Sequence, residues 1–174
     1  MMKYKFLFIF IYISFISGEV SAGFTLFTTF GSFNIPTSHL LDTDGNTIHN
    51  WEHNQNPSSM PYLLSDSTLV YPYQVANPTM QAGGAGGGVQ LLDWNGNIIW
   101  NYRISDENYQ HHHDVEPLPN GNILILAWEK KTAEDAYAIG RQEINNSIGQ
   151  MWSTAILELD PLSGSFVWEW HLWD

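Results

Sequence analysis

The sequence predicts an all-β fold built from four-stranded antiparallel sheets of the β-propeller type, with one short inserted helix. Three observations predict it. A hairpin recurs: "LLDTDGNTIHNW", Leu40 to Trp51, and "LLDWNGNIIWNY", Leu91 to Tyr102, match at a constant offset of 51, placing Asp42 on Asp93, Gly45 on Gly96 and Trp51 on Tyr102. "ELDPLSGSFVWEW", Glu158 to Trp170, repeats the pattern with one extra turn residue before Gly164. A second hairpin follows each of the first two copies, "YLLSDSTLVY" (Tyr62–Tyr71) and "EPLPNGNILI" (Glu116–Ile125). Two hairpins repeated at this scale make a propeller blade. Finally, 44% of the 174 residues are hydrophobic and 14% aromatic, enough to build a packed core.

Along the chain, the N-terminus reads first as a leader. "MMKYK" is basic, "FLFIFIYISFIS" is apolar but short for a bilayer span, and Val20-Ser21-Ala22 is a small-residue cleavage pattern. The expectation is a signal peptide over residues 1–22, with an uncleaved anchor as the alternative. Residues 23–174 then form the propeller portion, with no stable membrane anchoring after cleavage. In each hairpin, Asp-Gly or Asn-Gly supplies the positive φ of a two-residue turn, and the flanks are aliphatic, β-branched or aromatic. The seven tryptophans from Trp94 to Trp173 follow hairpin periodicity, which favours packing between blades over carbohydrate stacking.

Two segments interrupt the repeat. "QAGGAGGGVQ", Gln81 to Gln90, leads into the second blade. It reads either as a flexible connection or as backbone that approaches something closely. It is no phosphate loop, because no Gly-Lys-Ser/Thr follows. "EKKTAEDAYAIGRQEI", Glu129 to Ile144, predicts a short helix ending near Gly140, between the second and third blades. About two and a half blades are counted in this way. A propeller closes as a ring, so the expectation is a fragment of a longer frame or a truncated product.

The formal charge is −12. Beyond residue 22 the permanent cations are Arg103, Lys130, Lys131 and Arg141, against 17 acids. Phosphate backbones need clustered Lys and Arg, which makes nucleic acid a poor partner. With no cysteine, an exported chain is held by its core and strand pairing alone.

The densest chemistry lies in "YQHHHDVEPLPNGNILILAWE", Tyr109 to Glu129. Strand alternation puts His111 and His113 on one face and His112 on the other. Three readings stay open. Two histidines with Asp114 or Glu116 could bind a metal, but no further His-x-His or HExxH pattern completes the set. A solvated start of a strand, with Asp114 bonding a turn, is the plain reading. A site facing a propeller channel is the third.

These residues also carry a resemblance. "GFTLFTTFGSFNIPTSHLLDTDGNTIHNWEH", "GGAGGGVQLLDWNGNIIWNY", "HHDVEPLPNGNILILAWE", "AIGR" and "ILELDPLSGSFVWEWHLWD" resemble, in order, the N-terminal portion of the bacterial secreted arylsulfotransferases (aryl-sulfate sulfotransferases). The resemblance implies a ring of about six blades with a site in its central channel. It also implies sulfuryl transfer from a phenolic sulfate ester to a phenol through a histidine, with no cofactor, no metal and no nucleotide donor. His112 and His113 align with the family's His pair, and His111 is extra. His113 is then cast as a ligand of the sulfuryl group or a proton donor, with His112 second. Asp114, Arg141 in "AIGR" and His171 in "WEWHLWD" are the substrate-binding candidates. The chemistry suits these residue types: neutral imidazole is a nucleophile near pH 7, and the anionic sulfuryl oxygens need donors or cations. The implied setting is secreted or periplasmic.

Two competitors remain at this stage. "LELDPLSGSFVWEW" also resembles quinoprotein-like propellers that act as binding or scaffold modules, and a truncated relative could be inactive. Adjacent histidines weigh against a purely structural blade.

Overall fold

The computed structural model describes residues 22–146 and 148–174. The expected leader therefore falls almost wholly outside the described residues. Among the described residues eleven strands form three antiparallel sheets. The first holds β1 (Thr25–Thr28), β2 (Thr37–Leu41) and β3 (Thr47–Glu52). The second runs through β4 (Tyr62–Leu63), β5 (Leu69–Gln74), β6 (Gly87–Leu92) and β7 (Ile98–Arg103). The third comprises β8 (Tyr109–Pro117), β9 (Ile123–Thr132), β10 (Gln150–Asp160) and β11 (Ser165–His171). Each sheet is a simple meander, as blades are.

The repeated turns are longer than the two-residue form expected from Asp-Gly and Asn-Gly. Asp42 N–H donates to Asn46 O and Gly45 N–H to Asp42 O, enclosing three residues with Gly45 at φ +82°. This is the three-residue loop with a left-handed third position. The Asp42 carboxylate sets its length, because Oδ1 accepts the N–H groups of Asp44 and Asn46. Asp93 does the same for Asn95 and Asn97. Ser67 fills the left-handed position in the β4–β5 loop at φ +70°.

The blade frame also differs from the sequence frame. "YLLSDSTLVY" pairs with the hairpin that follows it, through β5 and β6, and not with the one before. "EPLPNGNILI" likewise joins β10 and β11. The sequence repeat is out of phase with the sheets by one hairpin, because similarity alone does not say which neighbour a hairpin bonds to. In consequence the helix α1 (Ala133–Ala138) sits inside the third sheet, between β9 and β10, rather than between blades. Thr132 caps it through a reciprocal box with Asp135.

Two buried clusters join the sheets. Leu40 and Trp51 of the first sheet pack on Leu69, Tyr71, Tyr73 and Leu92 of the second. Val70 and Val89 of the second pack with Ile104 on Val115, Ile123, Ile125 and Leu159 of the third. Trp100 and Tyr102 cover that second cluster, as hairpin periodicity predicts. Their counterparts Trp168 and Trp170 are 48% and 43% exposed, so that expectation does not hold for them. β4 and β8 are edge strands of their sheets and lie close together, with the Tyr62 phenol beside Asp114 and Glu116.

Candidate functional site

The histidine run is where β8 stops being a regular strand. His111 pairs with Ala127 and Val115 with Ile125, so β8 carries two more residues than β9 between these pairs. The surplus is taken up by a bulge at which His113 adopts φ +56°. A histidine there is strained, and such strain persists only where the surroundings enforce it. The bulge cancels the alternation expected from sequence. His112 and His113, not His111 and His113, come together: their Nδ1 atoms are 2.8 Å apart and their rings meet edge to face.

The glycine-rich segment supplies the enforcement. His113 N–H donates to Gly84 O at 2.8 Å, Gly86 N–H to His111 O at 2.9 Å, and Ala85 bridges to His112. A β-carbon on Gly84 would lie 2.4 Å from His113 Nε2, and one on Gly86 would lie 2.5 Å from His111 Nδ1. Of the two readings of this segment, close approach is the one observed. What it approaches is the chain's own histidines, and only glycine leaves them room.

The three rings have different environments. His111 is fully buried, and its Nδ1 accepts from Gly87 N–H at 3.1 Å, which leaves the ring proton on Nε2. Burial pushes its pKa down to about 4, helped by the neighbouring His112. His111 is therefore a neutral anchor. His112 is buried, stacks on Trp128 at 4.4 Å, and is pushed down to about 4, chiefly by burial and then by His113. His113 is exposed. Next to it, Asp114 Oδ1 accepts from Ser59 Oγ–H at 2.7 Å, which ties β8 to the segment before β4. The Tyr62 phenol is pushed up to about 12 by burial, then by the charges of Asp114 and Glu116.

The remaining sequence candidates lie apart. Arg141 is exposed beyond α1, where its Nε–H donates to Glu143 O. His171 ends β11 between Glu129 and Glu169, each 3.1 Å away. Burial opposes its protonation, but the bonds and charges of the two carboxylates outweigh it and raise its pKa. Among the described residues, no hydrogen bond or ion pair links Arg141 or His171 to His113. No group of three or more His, Asp or Glu among them has a metal-binding arrangement.

Sequence reasoning missed Gly84, Gly86 and Trp128 as parts of this site. The spacing of glycines offered a signal for the first two. Nothing in the local pattern singled out Trp128 from the other tryptophans.

A propeller-like meander and an adjacent histidine pair on an edge strand narrow the field, and the family comparison decides it. The family model described as Arylsulfotransferase (ASST) matches residues 17–174. The chain belongs to the arylsulfotransferase family. No curated protein sequence matches it. The family match covers all three sheets, from β1 to β11, and so includes the bulged histidine segment.

Proposed function

We propose that this arylsulfotransferase-family chain takes part in sulfuryl transfer from a phenolic sulfate ester to a phenol, with His113 and His112 in the reacting site. The observation that carries the reading is the His112–His113 contact at 2.8 Å on a bulge held open by glycines. A positive φ at a histidine costs about 1–3 kcal/mol, and such strain clusters where side-chain position matters for chemistry.

In the first half-reaction the ester S–O bond breaks as an S–N bond forms to a histidine, and the phenolate leaves and takes a proton. In the second, the acceptor phenol oxygen attacks sulfur, the S–N bond breaks, and the phenol proton passes to a base. The exposed ring of His113 is the one available to meet the sulfuryl group or a reacting proton. Asp114 is better suited to holding β8 through Ser59 than to binding an anion, since like charges repel. The leader-like N-terminus supports export, with the mature chain starting at Gly23; the intact mass of secreted protein tests that cleavage.

Transfer itself is tested by incubating the full chain with a chromogenic aryl sulfate and a phenol. The expected outcome is release of coloured phenol dependent on acceptor, reduced about 100-fold or more in His113→Ala. Transfer undiminished in that variant removes His113 from the reaction.

A further inference from the structure

The proton inventory of the histidine pair goes beyond the transfer reading and rests on it for its chemical meaning. Two imidazole nitrogens 2.8 Å apart must have one proton between them. Two protons would collide and none would set lone pair against lone pair. Each neutral ring carries one N–H. The ring that donates at Nδ1 therefore has a bare Nε2, and the ring that accepts has its proton on Nε2.

Which ring donates is decided by what surrounds His112. Among the described residues its buried Nε2 has no well-aligned partner; the Ala127 backbone acts on the ring in the sense that favours a proton on it, and with Nδ1 engaged by His113 that proton falls to Nε2. A bare Nε2 there would forgo that interaction. A proton on Nε2 gains it, and orphaned polar atoms in buried sites are costly. Stacking on Trp128 fixes the ring plane, so His112 cannot turn to escape the choice. Among the described residues no carboxylate is hydrogen-bonded to either ring: Asp114 is occupied by Ser59 Oγ, and Tyr62 lies with Asp114 and Glu116.

We infer that His112 is a positioning residue that accepts the Nδ1 proton of His113, and thereby leaves the exposed ring of His113 with a bare Nε2. That nitrogen is the base of the site. In the acceptor half-reaction it takes the phenol proton as the phenol oxygen bonds to sulfur, and His113 becomes an imidazolium with N–H at both nitrogens. In the donor half-reaction, which begins with Nε2 bare, the departing phenolate takes its proton from water, and the proton that His113 later gains from the acceptor phenol returns to water to restore the bare nitrogen. No proton is left over in a full cycle. Gly84 completes the arrangement, because any side chain there would fill the space that His113 Cε1 and Nε2 occupy.

The test is a long-range proton–nitrogen correlation spectrum of the full chain, uniformly nitrogen-15 labelled, at neutral pH. His113 is expected as the Nδ1–H tautomer, the less common form of free imidazole, and His112 as Nε2–H. His112→Phe keeps an aromatic ring for Trp128 but removes the acceptor, and His113 should revert to the Nε2–H form. His112→Asn, whose side-chain carbonyl can accept at the Nδ1 position, should restore Nδ1–H on His113. A wild-type spectrum with His113 as Nε2–H and His112 as Nδ1–H overturns the inference. This readout requires no turnover, so it separates a wrong tautomer from a wrong reaction. With aryl sulfates as substrates, His112→Phe should lower kcat about 10-fold or more at nearly constant KM, and His112→Asn should recover most of it.

Discussion

Two histidine environments in the third sheet differ in almost every respect. His111 and His112 sit where burial is uncompensated by charge, and both are driven neutral. His171 sits at the far end of the same sheet between Glu129 and Glu169, with Lys131 Nζ 2.6 Å from the other Glu129 oxygen, and is driven toward its cation. The side chain is the same and the sheet is the same. What differs is whether carboxylates or glycines line the ring. The first arrangement keeps each ring neutral with one lone pair to accept a hydrogen bond, His111 from Gly87 N–H and His112 from His113. The second makes an ion-pair clasp that joins β9 to β11.

The largest expected effect that tests this contrast is acid lability. The folded pKa of His111 is about 4 against 6.5 unfolded, so its contribution is fully present above pH 6.5 and lost as pH falls toward 4. The loss is on the order of 3 kcal/mol for His111, with His112 and His53 shifting in the same direction. Urea denaturation at pH 7 and pH 4.5 should show a much lower midpoint in acid. A flat profile would mean that these rings are solvated.

Next comes the glycine lining. Gly86→Ala places a carbon 2.5 Å from His111 Nδ1 and 2.9 Å from Ser58 Cβ, and should cost about 1–3 kcal/mol by overpacking. Gly96→Ala meets no neighbour within 4 Å and should cost only about 1 kcal/mol, from its φ of +84°. Equal losses for the two in thermal unfolding would show that the histidine packing yields to the added carbon, since Gly86 has no positive φ to strain.

The smallest effect separates the clasp by the sign of its pH dependence. The folded pKa of His171 is raised, so its stabilisation is complete below pH 6.5 and disappears as pH rises through the raised value. His171→Gln should therefore destabilise at pH 5.5, by on the order of 0.5 kcal/mol, and have little effect at pH 9. A deficit that grows with pH would reverse the assignment.

The strands, the positions of their turns and the meander class were legible in the sequence because hairpin flanks and left-handed turn positions depend on local chemistry, although the turns are one residue longer than expected. The 51-residue offset even marked equivalent aspartates, whose carboxylates cap equivalent loops. Sheet boundaries were not legible. A hairpin such as Tyr62–Tyr71 bonds to either neighbour equally well as far as its own residues show, and the choice is made by cross-sheet packing of Val70, Tyr71 and Val89. For the site, the His-His-His-Asp run was visible but its geometry was not. Alternation paired His111 with His113, whereas the bulge pairs His112 with His113. A two-residue surplus against β9 is a relation between distant segments, and no local pattern reports it.

The offset between repeat and sheet bears on how the gene can be divided. Cuts made at the visible repeat boundaries, before Leu40 or Leu91, would run through β2 or β6. Junctions between Glu52 and Tyr62, or between Arg103 and Tyr109, leave every sheet whole. Shuffled or circularly permuted forms should be joined there, and sequence alignment alone would choose the wrong codons.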